Sequence, residues 1–69
     1  MTLKEIRMST GKTIKEAANA LRVSERSLYA YESGTRQIDI IQTLILAELY
    51  DCSEREIIEA QINSLRISL

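Results

Sequence analysis

The side chains able to hold phosphates are crowded into the first half of the chain. Lys4, Arg7, Lys12, Lys15, Arg22, Arg26 and Arg36 stand against Glu5, Glu16, Glu25 and Glu32, a net charge of +3 over residues 1–36. Residues 37–69 carry Arg55 and Arg66 against Asp39, Glu48, Asp51, Glu54, Glu56 and Glu59, a net charge of −4. A chain polarised in this way offers phosphates one half and some other partner the second, although its overall charge is only −1. Acid–base and metal chemistry lack their usual residues. With no His and one Cys, disulfide frameworks, most zinc ligand sets and His-based proton transfer fall away. Neither catalysis nor a bound cofactor or metal is expected. Cys52 sits in a turn, DCS, where a reactive thiol is conceivable, but a small, partly buried hydrophobe is the plainer reading.

The elements that must position these residues are marked by their caps. The chain has no Pro, two Gly and several Ser/Thr-x-x-Glu boxes, so the expected fold class is all-α. In such a box the hydroxyl accepts from the amide of the third helical residue while the Glu accepts from the cap's own amide. Thr2-x-x-Glu5 opens a first helix that turns Leu3 and Ile6 inward and closes at Gly11. Thr13-x-x-Glu16 opens a second, with Ala17, Ala18 and Leu21 inward. Ser24 caps a third, whose Leu28 and Tyr31 share one face and which Gly34 ends in the left-handed conformation. A fourth runs from about residue 38 or 39 to 50, and Ser53-x-x-Glu56 opens a fifth with Ile57, Ile58, Ile62 and Leu65 as its apolar positions.

Between the second and third helices, AANALRVSERSLYAY leaves a break of only three residues. So short a break crosses the two helices steeply, with small Ala18 allowing close approach and Val23, Leu28 and Tyr31 filling the space beneath. The third helix keeps Glu25, Arg26, Tyr29 and Ala30 on its outer face. Sixty-nine residues suffice for one domain, expected over residues 1–66 with a frayed tail at 67–69, burying about 60% of the surface of the unfolded chain. Hydrophobic residues at 45% and charged residues at 28% suit a globular protein. The charged N-terminal stretch lacks an apolar signal core, so a cytoplasmic location is expected.

Taken together, LKEIR at 3–7, TIKEAANALRVS at 13–24, YESGTR at 31–36, LILAELYDCS at 44–53 and the EREII that follows resemble the Cro/CI-type helix-turn-helix family of phage and bacterial regulators. The resemblance covers residues 3 to about 58. It implies a compact five-helix domain with the helix-turn-helix at helices two and three, operator DNA as a partner, and a recognition helix that presents Ser24, Glu25, Arg26, Ser27, Tyr29 and Ala30. It places Lys12, Thr13, Lys15 and Arg36 near phosphates. It also implies an ion pair between Arg7 and Glu32; from the sequence alone both are equally well read as solvated.

Several positions depart from the family's habits. The first residue of helix two, often a Gln that donates to phosphate, is Ile14. The turn position usually given to Gly is Arg22. Glu25 repels phosphate and suits only a cytosine amino group, Arg26 suits guanine, and Ala30 offers a thymine methyl no more than contact. Tyr29 brings a large amphipathic surface that fits DNA backbone or protein. On helix four the family's inward positions fall at Ile40, Leu44, Ala47 and Tyr50, and a second apolar stripe follows at Ile38, Ile41, Ile45 and Leu49. Either helix five covers that stripe, or it is an interface for a second copy or another protein.

Two functions compete on these grounds. One is a dimeric Cro-like repressor that reads DNA by itself. The other is a regulator that grips a CI-type partner repressor, with Ile14, Tyr29, Ile38, Ile41, Ile45 and Leu49 as its protein interface.

Overall fold

The computed structural model describes residues 1–65; the tail expected at 67–69 lies outside them. Five helices follow in order, α1 (Leu3–Ser9), α2 (Ile14–Leu21), α3 (Glu25–Ser33), α4 (Ile40–Leu49) and α5 (Glu54–Leu65), within extents of 31 × 23 × 21 Å. Among the described residues there is no strand.

Local chemistry sets the starts. Thr2 accepts from the amide of Glu5 while Glu5 accepts from the amide of Thr2 at 2.8 Å, and Thr13 and Glu16 repeat the exchange with a return bond of 3.0 Å. Ser24 and Ser53 each accept from the amide three residues on, at 3.1 Å. A further box at α4, Asp39 with Gln42, carries the same signal in an Asp-x-x-Gln form that the Ser/Thr-x-x-Glu pattern passes over. The amide bonds received by Glu5 and Glu16 hold both carboxyls below the ordinary value of 4.5. Their folded pKa is lower than the unfolded one, so the stabilisation is present above about pH 4.5 and fades as pH falls through the depressed values. The double substitution Glu5→Gln, Glu16→Gln keeps an acceptor at each site but removes the titration. Its urea midpoint should therefore fall less steeply than the parent's between about pH 5 and pH 3; parallel curves would refute the assignment.

Leu3, Ile6, Ala17, Ala18, Leu21, Leu28 and Tyr31 all point inward as their spacing requires, and they meet Leu46, Ala47, Tyr50, Ile57 and Ala60 in a single core. Val23 and Cys52 pack against its edge.

Of the expected inward positions of α4, Ala47 and Tyr50 are buried but Ile40 and Leu44 are not. Ile40 is 76% exposed and Leu44 47% exposed, whereas Thr43 and Leu46 are buried beside Ala47. Asp39 fixes the first turn, and the Thr43 hydroxyl can turn inward because it donates to the Asp39 carbonyl at 2.9 Å. A polar residue satisfied by its own helix thus takes a core position that apolarity alone assigns to its neighbours.

The second stripe divides. Ile38, expected at an interface, is a core residue; Ile45 and Leu49 are half-buried against the core; only Ile41 stands free, at 61% exposure. On α5 the inward positions are Ile57, Ala60 and Ser64, leaving Ile58 half exposed. Ser64 is satisfied there: its Oγ accepts from the Leu3 amide at 3.1 Å and donates to the Ala60 carbonyl at 2.9 Å.

Candidate nucleic-acid interface

The helix-turn-helix is built from one strained residue and one cap. Arg22 ends α2 in the left-handed region, φ 57° and ψ 42°, at a cost of order 1–3 kcal/mol relative to Gly. The Val23 amide then returns to the Ala18 carbonyl at 3.0 Å, closing the last turn of α2 and aiming the chain at Ser24. With Leu28 and Tyr31 buried beneath, α3 turns its opposite face to solvent.

Glu25, Arg26 and Tyr29 are exposed on that face, and Ser27 and Ala30 are half-buried at its edges. Tyr29 leans to one side, lining with Lys4, Glu32 and Ser33 a cleft of about 210 Å3 that reaches α1. On the other side Arg36 donates to Ser27 Oγ at 3.1 Å and lies over the Tyr31 ring, 5.2 Å from its centroid. The loop after Gly34 therefore returns a guanidinium to the side of the recognition helix. Nothing in the sequence pattern joins Arg36 to Ser27 and Tyr31, because the join depends on how that loop folds back.

The other phosphate candidates lie where α1 passes into α2. Thr13 is the N-cap of α2, so its hydroxyl already accepts one amide. Lys15 is exposed and Lys12 half-buried, and the Lys12 carbonyl accepts from Arg7 Nη1 at 3.0 Å. Ile14 is half-buried against the core, so its apolar side chain serves packing as well as surface.

Arg7 and Glu32 fasten this frame from behind. Arg7 Nε donates to Glu32 Oε2 at 2.7 Å and Nη2 to Oε1 at 3.3 Å, a two-pronged bond between side chains 10% and 6% exposed. The bond to Glu32 raises the Arg7 pKa further, so the guanidinium is permanently charged. Tyr50, buried nearby, is pushed well above the usual phenol range, first by burial and then by the Glu32 charge. Burial, followed by the charges of Glu56, Asp51 and Glu54, also raises the Cys52 thiol. Cys52 is thereby kept as the neutral thiol, a poor nucleophile.

Helices α2 and α3, joined by a three-residue turn within an all-α frame, form a helix-turn-helix, the DNA-binding element of transcription regulators. The chain belongs to the helix-turn-helix family, whose model matches residues 3–57. No curated protein and no solved structure gives a significant match. No helix among the described residues is long and apolar enough to cross a membrane.

Proposed function

We propose that this protein regulates transcription in a phage-type lysis–lysogeny switch by binding a CI-type partner repressor and changing that repressor's occupancy of its operator. The observation that carries the proposal is the exposed face of α3. Tyr29, 58% exposed, and Glu25 flank Arg26, while the first position of α2 is Ile14 and gives phosphate no side-chain donor. Large exposed aromatic area beside an Arg is the composition of a protein-binding hot spot, whereas Glu25 repels a phosphate backbone. Over its length the chain also resembles the temperate-phage modulator of repression, a small Cro-like component of such switches. Action in the cytoplasm of a bacterial host follows from that role.

A second reading, an autonomous Cro-like repressor acting as a homodimer on operator DNA, is favoured by the exposed Arg26 with Lys15 and Arg36. Titration of operator DNA with this protein, with the repressor and with both, across salt concentration, separates the two. The partner reading expects weak binding by the protein alone and a stable complex with the repressor. Tyr29→Ala should then cost about 2 kcal/mol of complex affinity, and Arg26→Ala should have less effect. Tight autonomous binding with a steep salt slope, weakened by about 1–3 kcal/mol in Arg26→Ala, would establish the second reading instead.

A further inference from the structure

We infer that the groove between the start of α4 and the end of α5 is a second protein-binding surface, and that its occupant is an amphipathic helix with an apolar stripe and basic flanks. The groove encloses about 370 Å3. Ile38, Ile62 and Leu65 line its interior, and Ile40 and Ile58 form its walls, 76% and 51% exposed. Its apolar surface continues along α4 through Leu44, one turn on from Ile40, with Ile41 beside Ile40 around the helix, both also exposed. Ile40 and Leu44 on α4 and Ile58 and Ile62 on α5 give the strip two rows of apolar side chains, each spaced by four residues. Such a strip suits a helix laid lengthwise with anchors three and four residues apart.

Charge selects among possible occupants. Asp39 is the charged residue in the lining of the groove, and Glu48 lies one turn beyond Leu44 on the same face of α4, whereas Glu56 and Glu59 lie on the other side of α5, toward Met1 and Ile6. Glu54 lies one turn before Ile58 on the same side of α5. A second copy of this chain would bring two acidic halves together, whereas Lys or Arg flanking an apolar stripe would meet opposite charge on both rims. Basic amphipathic helices are also elements that regulators lay on DNA phosphates, so the groove would hold a partner segment away from DNA. The inference rests on the protein-partner reading for the class of its occupant, and it uses a surface on α4 and α5, separate from the outer face of α3.

The test titrates the isotopically labelled chain with two synthetic amphipathic helices of identical apolar stripe, one flanked by Lys and the other by Glu. The Lys-flanked helix should bind about tenfold or more tighter at low salt, with the gap closing as salt rises. Amide shifts should centre on Ile40, Ile58 and Ile62 and spare Tyr29. Ile58→Lys, at a half-exposed position that tolerates charge, should abolish the binding, and Glu54→Lys should narrow the preference. Equal binding, no binding, or shifts centred on α3 would overturn the inference. So would sedimentation showing a dimer of this chain that Ile58→Lys dissociates. If Ile58→Lys leaves repressor binding intact while Tyr29→Ala removes it, the groove inference fails and the α3 reading stands. If the Lys-flanked helix binds as described but the repressor binds neither parent nor variant, the groove stands and the repressor reading fails.

Discussion

Arg7→Ala is expected to cost about 3–5 kcal/mol of folding stability, and Glu32→Ala a similar amount. A domain of this size has a total stability of roughly 3–10 kcal/mol, so either variant should be largely unfolded on modest warming. The scale follows from burial. Both side chains are at most 10% exposed, so truncating one strands the other's charge away from water. Arg7→Ala has a second effect, because Nη1 is also the donor to the Lys12 carbonyl. The loop that leads into α2 is thus loosened together with the contact between α1 and α3. The double variant Arg7→Met, Glu32→Leu should recover most of the loss, since a buried pair contributes little beyond well-packed apolar groups of similar volume. Urea unfolding of the two single variants and the double variant measures all three effects. Single losses under about 1 kcal/mol, the usual value for an exposed pair, would show that the pair is effectively solvated.

The parts of this fold that were legible in the sequence are those determined within one turn of chain. Thr2 with Glu5 and Thr13 with Glu16 start helices by bonds three residues apart, so their pattern survives any tertiary arrangement. Gly34 ends α3 for the equally local reason that the left-handed region disfavours a Cβ. The faces of α4 and α5 were not legible, because α4 is apolar nearly all round and its periodicity points nowhere. What decides them is fit to neighbours: Thr43 turns inward with its hydroxyl satisfied at Asp39, and Ser64 does so with its hydroxyl on Leu3 and Ala60. Ile40, Leu44 and Ile58 are displaced to the surface as a result. In the candidate interface, the outward residues of α3 followed from helical spacing. The anchoring of Arg36 did not, because it depends on the path of residues 34–39.

Gly34→Ala should destabilise far more than Gly11→Ala, although both glycines occupy the same strained region at φ +84° and +74°. At Gly11 a Cβ meets nothing within 4 Å, so the loss is only the left-handed strain of about 1–2 kcal/mol. At Gly34 a Cβ would collide with the Ser64 carbonyl oxygen and come within 3.1 Å of the Leu65 Cα. These are backbone atoms of α5 and no side-chain rotation relieves them, so overpacking of about 1–3 kcal/mol adds to the strain. The expected total is about 2–5 kcal/mol. Moving α5 away would disturb the bond from the Leu3 amide to Ser64, and with it the seat of α1. It would also shift Leu65, which lines the α4–α5 groove, so the end of the recognition helix and the groove share one contact. Chemical denaturation of the two variants measures the difference in stability, and amide shifts in folded Gly34→Ala protein should extend from Thr35 to Ile62. Equal losses for the two glycines would mean that α5 yields freely at this point, and that the close approach of α3 to α5 contributes nothing to holding the recognition helix in place.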